Sequence, residues 1–397
     1  MNINTDAKQI EELLSRGVEA IYPTREFLEK RLKSGEQLTI YTGYDPTGPT
    51  LHIGHGITLL KLRQFQQLGH KIIMLIGDFT GMIGDPTDKS SVRQKLTREQ
   101  VMENCKEYQR QAASVLDFVG ENSVELKYNS EWFRKMTFED VVELASHFTV
   151  PRLLERDMFQ ERLRQEKTVY LHEFLYPIMQ GYDSVVMDVD GEVGGNDQTF
   201  NMLAGRTLMK DMENKEKFVV AMRLLTDTSG KKMGKTEGNM ISLDDSPEEM
   251  YGKVMSWTDE AIINGFELCT AMPTDQIDVM NEEMKSGANP RDIKMRLASE
   301  VVKTFLDEDA AMKGQEHFGS VVQGKEKPSD MREHRAQSQN LVDVLVEAGL
   351  CPSKTDARRT IEQGGVKLND QKVDSIDATI QPGDIVQKGK RGFVRIV

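Results

Sequence analysis

The stretch from Tyr41 to His55, YTGYDPTGPTLHIGH, constrains this chain more than any other. It reads as the end of a strand (Leu38 to Gly43), a tight turn through Asp45-Pro46-Thr47-Gly48-Pro49, and a helix opening at His52-Ile53-Gly54-His55 and running to about Leu68. Lys71 to Asp78, KIIMLIGD, follows as a short apolar run rich in β-branched residues, the pattern of a buried parallel strand. Strand, helix, strand in this order predicts an α/β fold on a Rossmann-type parallel sheet, with ligand sites at the strand ends. Two imidazoles at a helix start sit beside unpaired N–H groups and a positive dipole end, which suits an anion such as a phosphate. Gly54, without a side chain, lets a flat ring or a phosphate approach the backbone. Taken alone, His-x-Gly-His serves equally well as a helix start with two half-exposed histidines.

Three later segments shift that balance. In Leu171 to Asp183, LHEFLYPIMQGYD, the spacing of Tyr176, Gln180 and Asp183 puts a phenol, an amide and a carboxylate on one helix face. Such a face fits a polar pocket better than an apolar core. Val185 to Val189 reads as a strand, and Gly194-Gly195-Asn196-Asp197-Gln198 as a glycine turn where a ribose or base could lie against the backbone. Lys217 to Leu225 reads as a further strand feeding Ser229 to Asn239, SGKKMGKTEGN, a glycine-flanked loop with three lysines, suited to closing over a polyphosphate. Phe79 to Ser91 is a turn-rich loop in which Asp85 could face a ligand and Lys89 and Arg93 could meet phosphates, ahead of a helix from Glu99 to Leu116. Taken alone, that segment is more readily explained as a solvated loop.

The remaining chain sets the frame. Asp6 to Lys33 is helical in pattern apart from a break at Tyr22-Pro23-Thr24, and Ser123 to Val169 reads as a short strand followed by helices, a candidate dimer surface. Ser246-Pro247-Glu248-Glu249 starts a helix with a capping box, and helical pattern continues to about Phe318, interrupted near Pro273 and Asn289-Pro290. Residues 319–339 are hydrophilic and read as a linker. The tail has helices at Leu341 to Ala348 and from Ser353 onward, the latter carrying Lys354, Arg358 and Arg359, and then a closing hairpin. Net charge is -13 overall, which argues against broad nucleic-acid binding, yet residues 331–397 hold 11 Lys/Arg against 9 Asp/Glu. The tail is therefore a separate, basic module whose lysine and arginines form a compact RNA-backbone footprint. No run approaches a membrane span, and Met1 to Leu13 lacks the pattern of a signal peptide, so the expected compartment is the cytoplasm. Cys105, Cys269 and Cys351 lie far apart with no CxxC, which points to no disulfide framework and no zinc site.

HIGH at His52 to His55 together with KMGKT at Lys232 to Thr236 resembles the paired HIGH and KMSKS signatures of class I aminoacyl-tRNA synthetases. The wider strings YTGYDPTGPTLHIGH, TGMIGDPTDKS, YPIMQGYD and GGNDQ resemble the bacterial tyrosyl-tRNA synthetases over nearly the entire chain. SKTDARRTIEQGGVKLND resembles the small RNA-binding domain named after the fourth small-subunit ribosomal protein. The resemblance implies a catalytic domain over 1–228 with a dimerising insertion at about 123–170, the lysine loop at 229–245, a helical anticodon-binding domain at 246–318, the linker, and an α+β RNA-binding domain at 340–397. It implies ATP as substrate with magnesium, no protein-bound metal or prosthetic group, tRNA(Tyr) and L-tyrosine as the other substrates, and a homodimer. Carried over by position, Tyr41 and Asp183 match the pair that hydrogen-bonds the tyrosine phenol, and Tyr176, Gln180, Asp85 and Gln198 the other tyrosine-binding groups. Left without that hydroxyl, a buried phenol and carboxylate would be unsatisfied, which rejects phenylalanine without editing; tyrosyl enzymes are the standard example of such discrimination. Gly43, Asp45, Gly54, Gly195 and Asp197 match the adenosine and ribose side. Thr47, His52, His55, Lys89, Arg93, Lys232, Lys235 and Thr236 match the phosphate side, where charge builds in the transition state of tyrosine activation. Gly234 and Thr236 depart from the serines of KMSKS, and Thr199 and Gly48 from residues common in relatives, which leaves the shape of the adenosine side open.

Three other readings compete. The sister enzyme for tryptophan has no use for a carboxylate facing a phenol at Asp183. A nucleotidyltransferase with an HxGH site leaves the RNA-binding tail unexplained. A non-catalytic RNA-binding protein on a synthetase scaffold has no need to keep His52, His55, Lys232 and Lys235.

Overall fold

The computed structural model describes residues 3–85, 96–226, 240–323, 332–336, 338–389 and 392–397, in two units, Met1–Ala311 and Met312–Val397. Lys89, Arg93, Lys232, Lys235 and Thr236 lie outside the described residues.

The first unit is organised by a six-stranded sheet: β1 (Val18–Tyr22), β2 (Thr39–Tyr44), β3 (Lys71–Ile76), β4 (Glu125–Tyr128), β5 (Gly191–Gly195) and β6 (Phe218–Met222). Their spatial order is β1-β6-β5-β2-β3-β4. β2 to β6 run parallel, in the register Thr39 to Lys71 through Tyr44 to Ile76 between β2 and β3, and β1 joins antiparallel at the edge. The chain moves outward from β2 through β3 and β4, then returns to the opposite side of β2 with β5. Such a reversal leaves a crevice beyond the strand ends, here between Tyr44 and Gly195. β3 beyond Lys71 and all of β6 are buried, as the run KIIMLI suggests, whereas the edge strands β1 and β4 are only half-buried. Ile53–Gln67, Leu171–Val186 and Thr199–Glu213 are the long helices that feed side chains toward the crevice. Four short helices follow β4, and the helices from Pro247–Met255 to Pro290–Phe305 pack in the same unit.

Three local expectations are corrected. Asp6 to Lys33 is not helical apart from one break: Ala7–Ser15 and Arg25–Lys33 are helices, but Val18–Tyr22 is the edge strand β1. Gly17 at φ 65° ends the first helix, and β6, some 200 residues on, recruits the segment into the sheet. Val185 to Val189 is not a strand either, since the Leu171–Val186 helix runs on to donate Met187 N–H to the Asp183 carbonyl. Asp188, at φ 47°, then turns the chain into β5. The expected helix from Glu99 to Leu116 is two, Arg98–Cys105 and Tyr108–Ala112.

The second unit has its own core of Leu341, Leu345, Ala357, Ile361, Val366, Val386, Val394 and Ile396. The helices Leu341–Glu347 and Lys354–Glu362 accompany a five-stranded sheet in the order β7 (Glu333–His334), β11 (Gly392–Ile396), β10 (Ile385–Lys388), β8 (Val366–Leu368), β9 (Gln371–Lys372).

Candidate active site

The crevice is a cleft of about 290 Å³ whose lining includes Gly43, Asp45, Thr47, His52, Gly54, His55, Asp85, Tyr176, Gln180, Asp183, Gly195, Asp197 and Gln198. The structure thus brings together thirteen of the site residues read from sequence, from four separate stretches of chain. A larger cleft in the same unit, about 460 Å³ and lined by Arg16, Lys61 and Glu267, holds none of them.

At one end His52 is the N-cap of the Ile53–Gln67 helix and its N–H donates to His55 Nδ1 at 3.1 Å. The two rings stack with centroids 3.8 Å apart, and Tyr44 meets His55 edge-on at 5.4 Å. Ile53 N–H donates to the Ile241 carbonyl at 2.9 Å and Leu243 N–H to that of Leu51 at 2.9 Å. The chain just after the lysine motif is therefore tied to the histidine motif, while Leu224 and Leu225, just before it, line the cleft.

In the middle stands Asp45, which accepts from the Tyr176 hydroxyl at 2.7 Å and from Thr80 Oγ1 at 2.7 Å. Gly77 makes room for it: a Cβ there would lie 2.1 Å from Asp45 Oδ1. Burial, then the Asp45 and Asp85 carboxylates, hold the Tyr176 hydroxyl protonated far above the usual phenol range. Asp85 forms a buried ion pair with Arg156 at 2.7 Å and accepts from Gln198 Nε2 at 2.8 Å.

The far end holds the helix face anticipated from spacing. Asp183 is 3% exposed and accepts from Trp132 Nε1 at 2.9 Å and Asn129 Nδ2 at 3.4 Å. Burial pushes its carboxyl pKa well up, against the pull of those two donors. Tyr41 is fully buried behind the cleft lining, not on it, with its hydroxyl 2.9 Å from Ser184 Oγ and 3.4 Å from the Gln180 carbonyl. Burial, reinforced by Glu192 and Asp183, keeps that hydroxyl protonated. Gln180 Nε2 donates to Glu192 Oε1 at 3.0 Å, and Glu192 is ion-paired with Lys217, which is fully buried.

In the second unit, Lys354, Arg358 and Arg359 lie on the Lys354–Glu362 helix, with Lys354 paired to Asp343 at 2.7 Å and Arg359 to Asp356.

Sequence reading missed Asn129, Trp132, Arg156, Ser184, Glu192, Asn201 and Lys217, all drawn into this network. Glu192 and Lys217 carried a signal, as single charges beside otherwise apolar strands. Their complementarity shows only once β5 and β6 are known to be neighbours, Gly191 opposite Phe218.

Residues 33–323 match the family described as tRNA synthetases class I (W and Y), and residues 322–396 the tyrosine–tRNA ligase SYY-like C-terminal domain. The chain is 44% identical to the tyrosine–tRNA ligase of Thermotoga maritima, over 97% of this chain and 96% of that protein. It is 42% identical to tyrosine–tRNA ligase 2 of Clostridium acetobutylicum, over 98% and 99%. Among solved structures, a C-terminally truncated mitochondrial tyrosyl-tRNA synthetase of Coccidioides posadasii superposes with a TM-score of 0.65 at 25% identity, over 78% of this chain and 92% of that one. The Archaeoglobus fulgidus tyrosyl-tRNA synthetase complexed with L-tyrosine shares the fold, with a TM-score of 0.62 at 23% identity, over 78% and 100%.

Proposed function

The chain belongs to the class I tyrosyl-tRNA synthetases, and on that premise we propose a division of labour among its own residues. The enzyme activates L-tyrosine with ATP and transfers the tyrosyl group to tRNA(Tyr).

The observation that carries the assignment of the tyrosine pocket is Asp183. Among the described residues only neutral donors, Trp132 and Asn129, hydrogen-bond this buried carboxylate. A phenol hydroxyl supplies a further donor there, with Tyr41 behind it as the second contact. Gln180, Asp85, Tyr176 and Gln198 take the ammonium side, where Asp85 and the amide oxygens offer acceptors. Gly43, Gly54, Gly195 and Asp197 receive the adenosine, with Asp45 between the two substrates. Thr47, His52, His55, Lys232, Lys235, Thr236, Lys89 and Arg93 meet the phosphates or the tRNA acceptor end. ATP enters as its magnesium complex, so the metal is part of the substrate.

The tyrosine carboxylate attacks the α-phosphorus in line, giving tyrosyl-adenylate and pyrophosphate. A terminal ribose hydroxyl of tRNA(Tyr) then attacks the activated carbonyl. No protein nucleophile is needed, so His52, Lys232 and Lys235 act by stabilising charge that develops in the transition state. The tethering of Ile241 beside His52 supports the two motifs acting on one triphosphate.

The helices from 246 to 318 are assigned to the anticodon and residues 340–397, with Lys354, Arg358 and Arg359, to the tRNA backbone. A homodimer is supported by apolar side chains exposed on the insertion and just after it: Phe138 at 82%, Val150 at 66% and Leu171 at 80%. A cytoplasmic location is supported by three buried free thiols, Cys105, Cys269 and Cys351. Among the described residues no helix is long and apolar enough to cross a membrane.

Pyrophosphate exchange into ATP, measured with each of the twenty amino acids without tRNA, tests the assignment. Exchange with tyrosine alone is expected. Exchange with tryptophan, or with none, refutes it.

A further inference from the structure

We propose that Lys217 is a positioning residue for tyrosine recognition, setting the proton direction at Tyr41 through Ser184 and the acceptor face of Gln180 through Glu192. The proposal rests on the assignment of Tyr41 and Gln180 to the tyrosine pocket made above.

Lys217 is fully buried immediately before β6, and its ammonium reaches Ser184 Oγ at 2.7 Å, the Met202 carbonyl at 3.3 Å and the Glu192 carboxylate. It also lies 5.4 Å from the centre of the Tyr41 ring. An ammonium has no lone pair, so Ser184 can only accept from it. Among the described residues Tyr41 Oη, 2.9 Å away, is the one further partner of the Ser184 hydroxyl, so on this proposal it receives the Ser184 hydrogen and Tyr41 sends its own hydrogen onward. In this structure that hydrogen meets the Gln180 carbonyl at a long 3.4 Å, a weak bond readily exchanged for a better acceptor. A substrate phenol oxygen is such an acceptor, and its own hydrogen then goes to Asp183. One buried cation thus orders the sequence Lys217, Ser184, Tyr41, substrate, Asp183, each hydroxyl accepting from one side and donating to the other.

The second arm fixes the ammonium side. Glu192, held by Lys217, accepts from Gln180 Nε2 at 3.0 Å, so Gln180 presents Oε1, which Asn201 Nδ2 meets at 3.0 Å. Asn201 Nδ2 also donates to Gln198 Oε1 at 3.0 Å, and Gln198 Nε2 ends on Asp85. A carboxylate at each end leaves the amides no freedom to flip, which fixes Gln180 Oε1 and Gln198 Oε1 as acceptors.

The packing is built around this cation. A Cβ on Gly205 would lie 2.5 Å from Lys217 Nζ and 2.7 Å from Ser184 Oγ, so the Thr199–Glu213 helix approaches the network with bare backbone.

The test is steady-state pyrophosphate exchange with tyrosine and with phenylalanine in Ser184→Ala, in the charge-neutral double variant Lys217→Met with Glu192→Gln, and in Tyr41→Phe. The double variant avoids stranding the Glu192 carboxylate, which Lys217→Met alone would do. Ser184→Ala is expected to raise KM for tyrosine about tenfold and narrow the tyrosine to phenylalanine ratio as much, while kcat and KM for ATP hold. The double variant moves the same way. If Tyr41→Phe collapses the ratio but the other two do not, the role of Lys217 is overturned and the tyrosine pocket stands. If Tyr41→Phe leaves the ratio intact, the pocket assignment itself falls. Parallel rises in both KM values show a merely structural part and also overturn the proposal.

Discussion

Asp183→Asn separates recognition from stability in opposite directions. The substitution keeps the outline of the side chain and removes its charge. Its amide oxygen can retain the 2.9 Å bond from Trp132, and only the long 3.4 Å contact with Asn129 is lost. The substrate phenol, however, exchanges a charge-assisted acceptor for an amide, a difference of about 1.5 to 3 kcal/mol. At 1.36 kcal/mol per decade, kcat/KM for tyrosine falls about ten- to a hundredfold, whereas phenylalanine, with no hydroxyl, is little affected. Stability goes the other way. Burial raises the carboxyl pKa of Asp183, so above the ordinary carboxylate range the folded chain binds more protons than the unfolded one. Folding stability from this residue is therefore lost as pH rises through the folded pKa, and the uncharged amide removes that loss. The melting midpoint of Asp183→Asn should exceed that of the parent at pH 8, and the gap should close toward pH 4. Exchange kinetics with both amino acids and a thermal scan at the two pH values decide the matter. A variant that keeps its kcat/KM for tyrosine, or one less stable than the parent at pH 8, refutes the reasoning.

His70 supplies a second pH signature: fully buried, it accepts from Leu38 N–H at 3.2 Å, and burial lowers its pKa from the ordinary 6.5 to about 4. The contribution of His70 to the unfolding free energy should therefore fall by about 3 kcal/mol between pH 6.5 and pH 4, and His70→Asn, whose amide oxygen mimics Nδ1, should remove that component of the slope in urea titrations. Both tryptophans, Trp132 and Trp257, belong to the first unit, so their fluorescence reports its unfolding alone. Gly205→Ala should cost about 1 to 3 kcal/mol by overpacking against Lys217 and Ser184, seen as an earlier transition by the same fluorescence. Phe138→Glu combined with Leu171→Glu should convert a dimer to a monomer in sedimentation velocity; an unchanged coefficient places the interface elsewhere. Lys235→Ala should lower the rate of tyrosyl-adenylate formation far more than tyrosine affinity in single-turnover measurements, and an unchanged rate removes Lys235 from the phosphate site.

What was legible in the chain follows the range of the forces involved. Tyr176, Gln180 and Asp183 could be grouped because helical periodicity is local, and His52 to His55 because a cap and its first turn are adjacent in sequence. β3 and β6 announced themselves as apolar runs, and β2 by the turn and helix that follow it. β1 did not, because the five residues VEAIY acquire strand character from β6 and not from their own pattern. The end of the Leu171–Val186 helix was misjudged for a related reason: Val185 and Val186 favour strands, yet the helix carries them one turn beyond Asp183. Neither the Arg156 to Asp85 pair nor the Lys217 to Glu192 pair could be foreseen, since each joins residues from separate elements, 71 and 25 positions apart.

On the proposed assignment of the tyrosine pocket, those two ion pairs also explain how carboxylates can be buried around the substrate. Asp85 and Glu192 each have a cation in contact, so neither adds an uncompensated charge to the floor of the cleft. Asp183 is treated differently: among the described residues only neutral donors hydrogen-bond it, and the Lys217 charge acts on it without a direct ion pair. Its burial is unfavourable in the empty enzyme and is relieved by a ligand that brings a hydroxyl to the right place. Compensating Asp183 with a lysine of its own would make the fold more stable and the pocket less selective, because phenylalanine would then leave nothing unsatisfied. On the proposed assignment, discrimination resides in where the chain leaves a carboxylate without a direct ion pair as much as in where it supplies one.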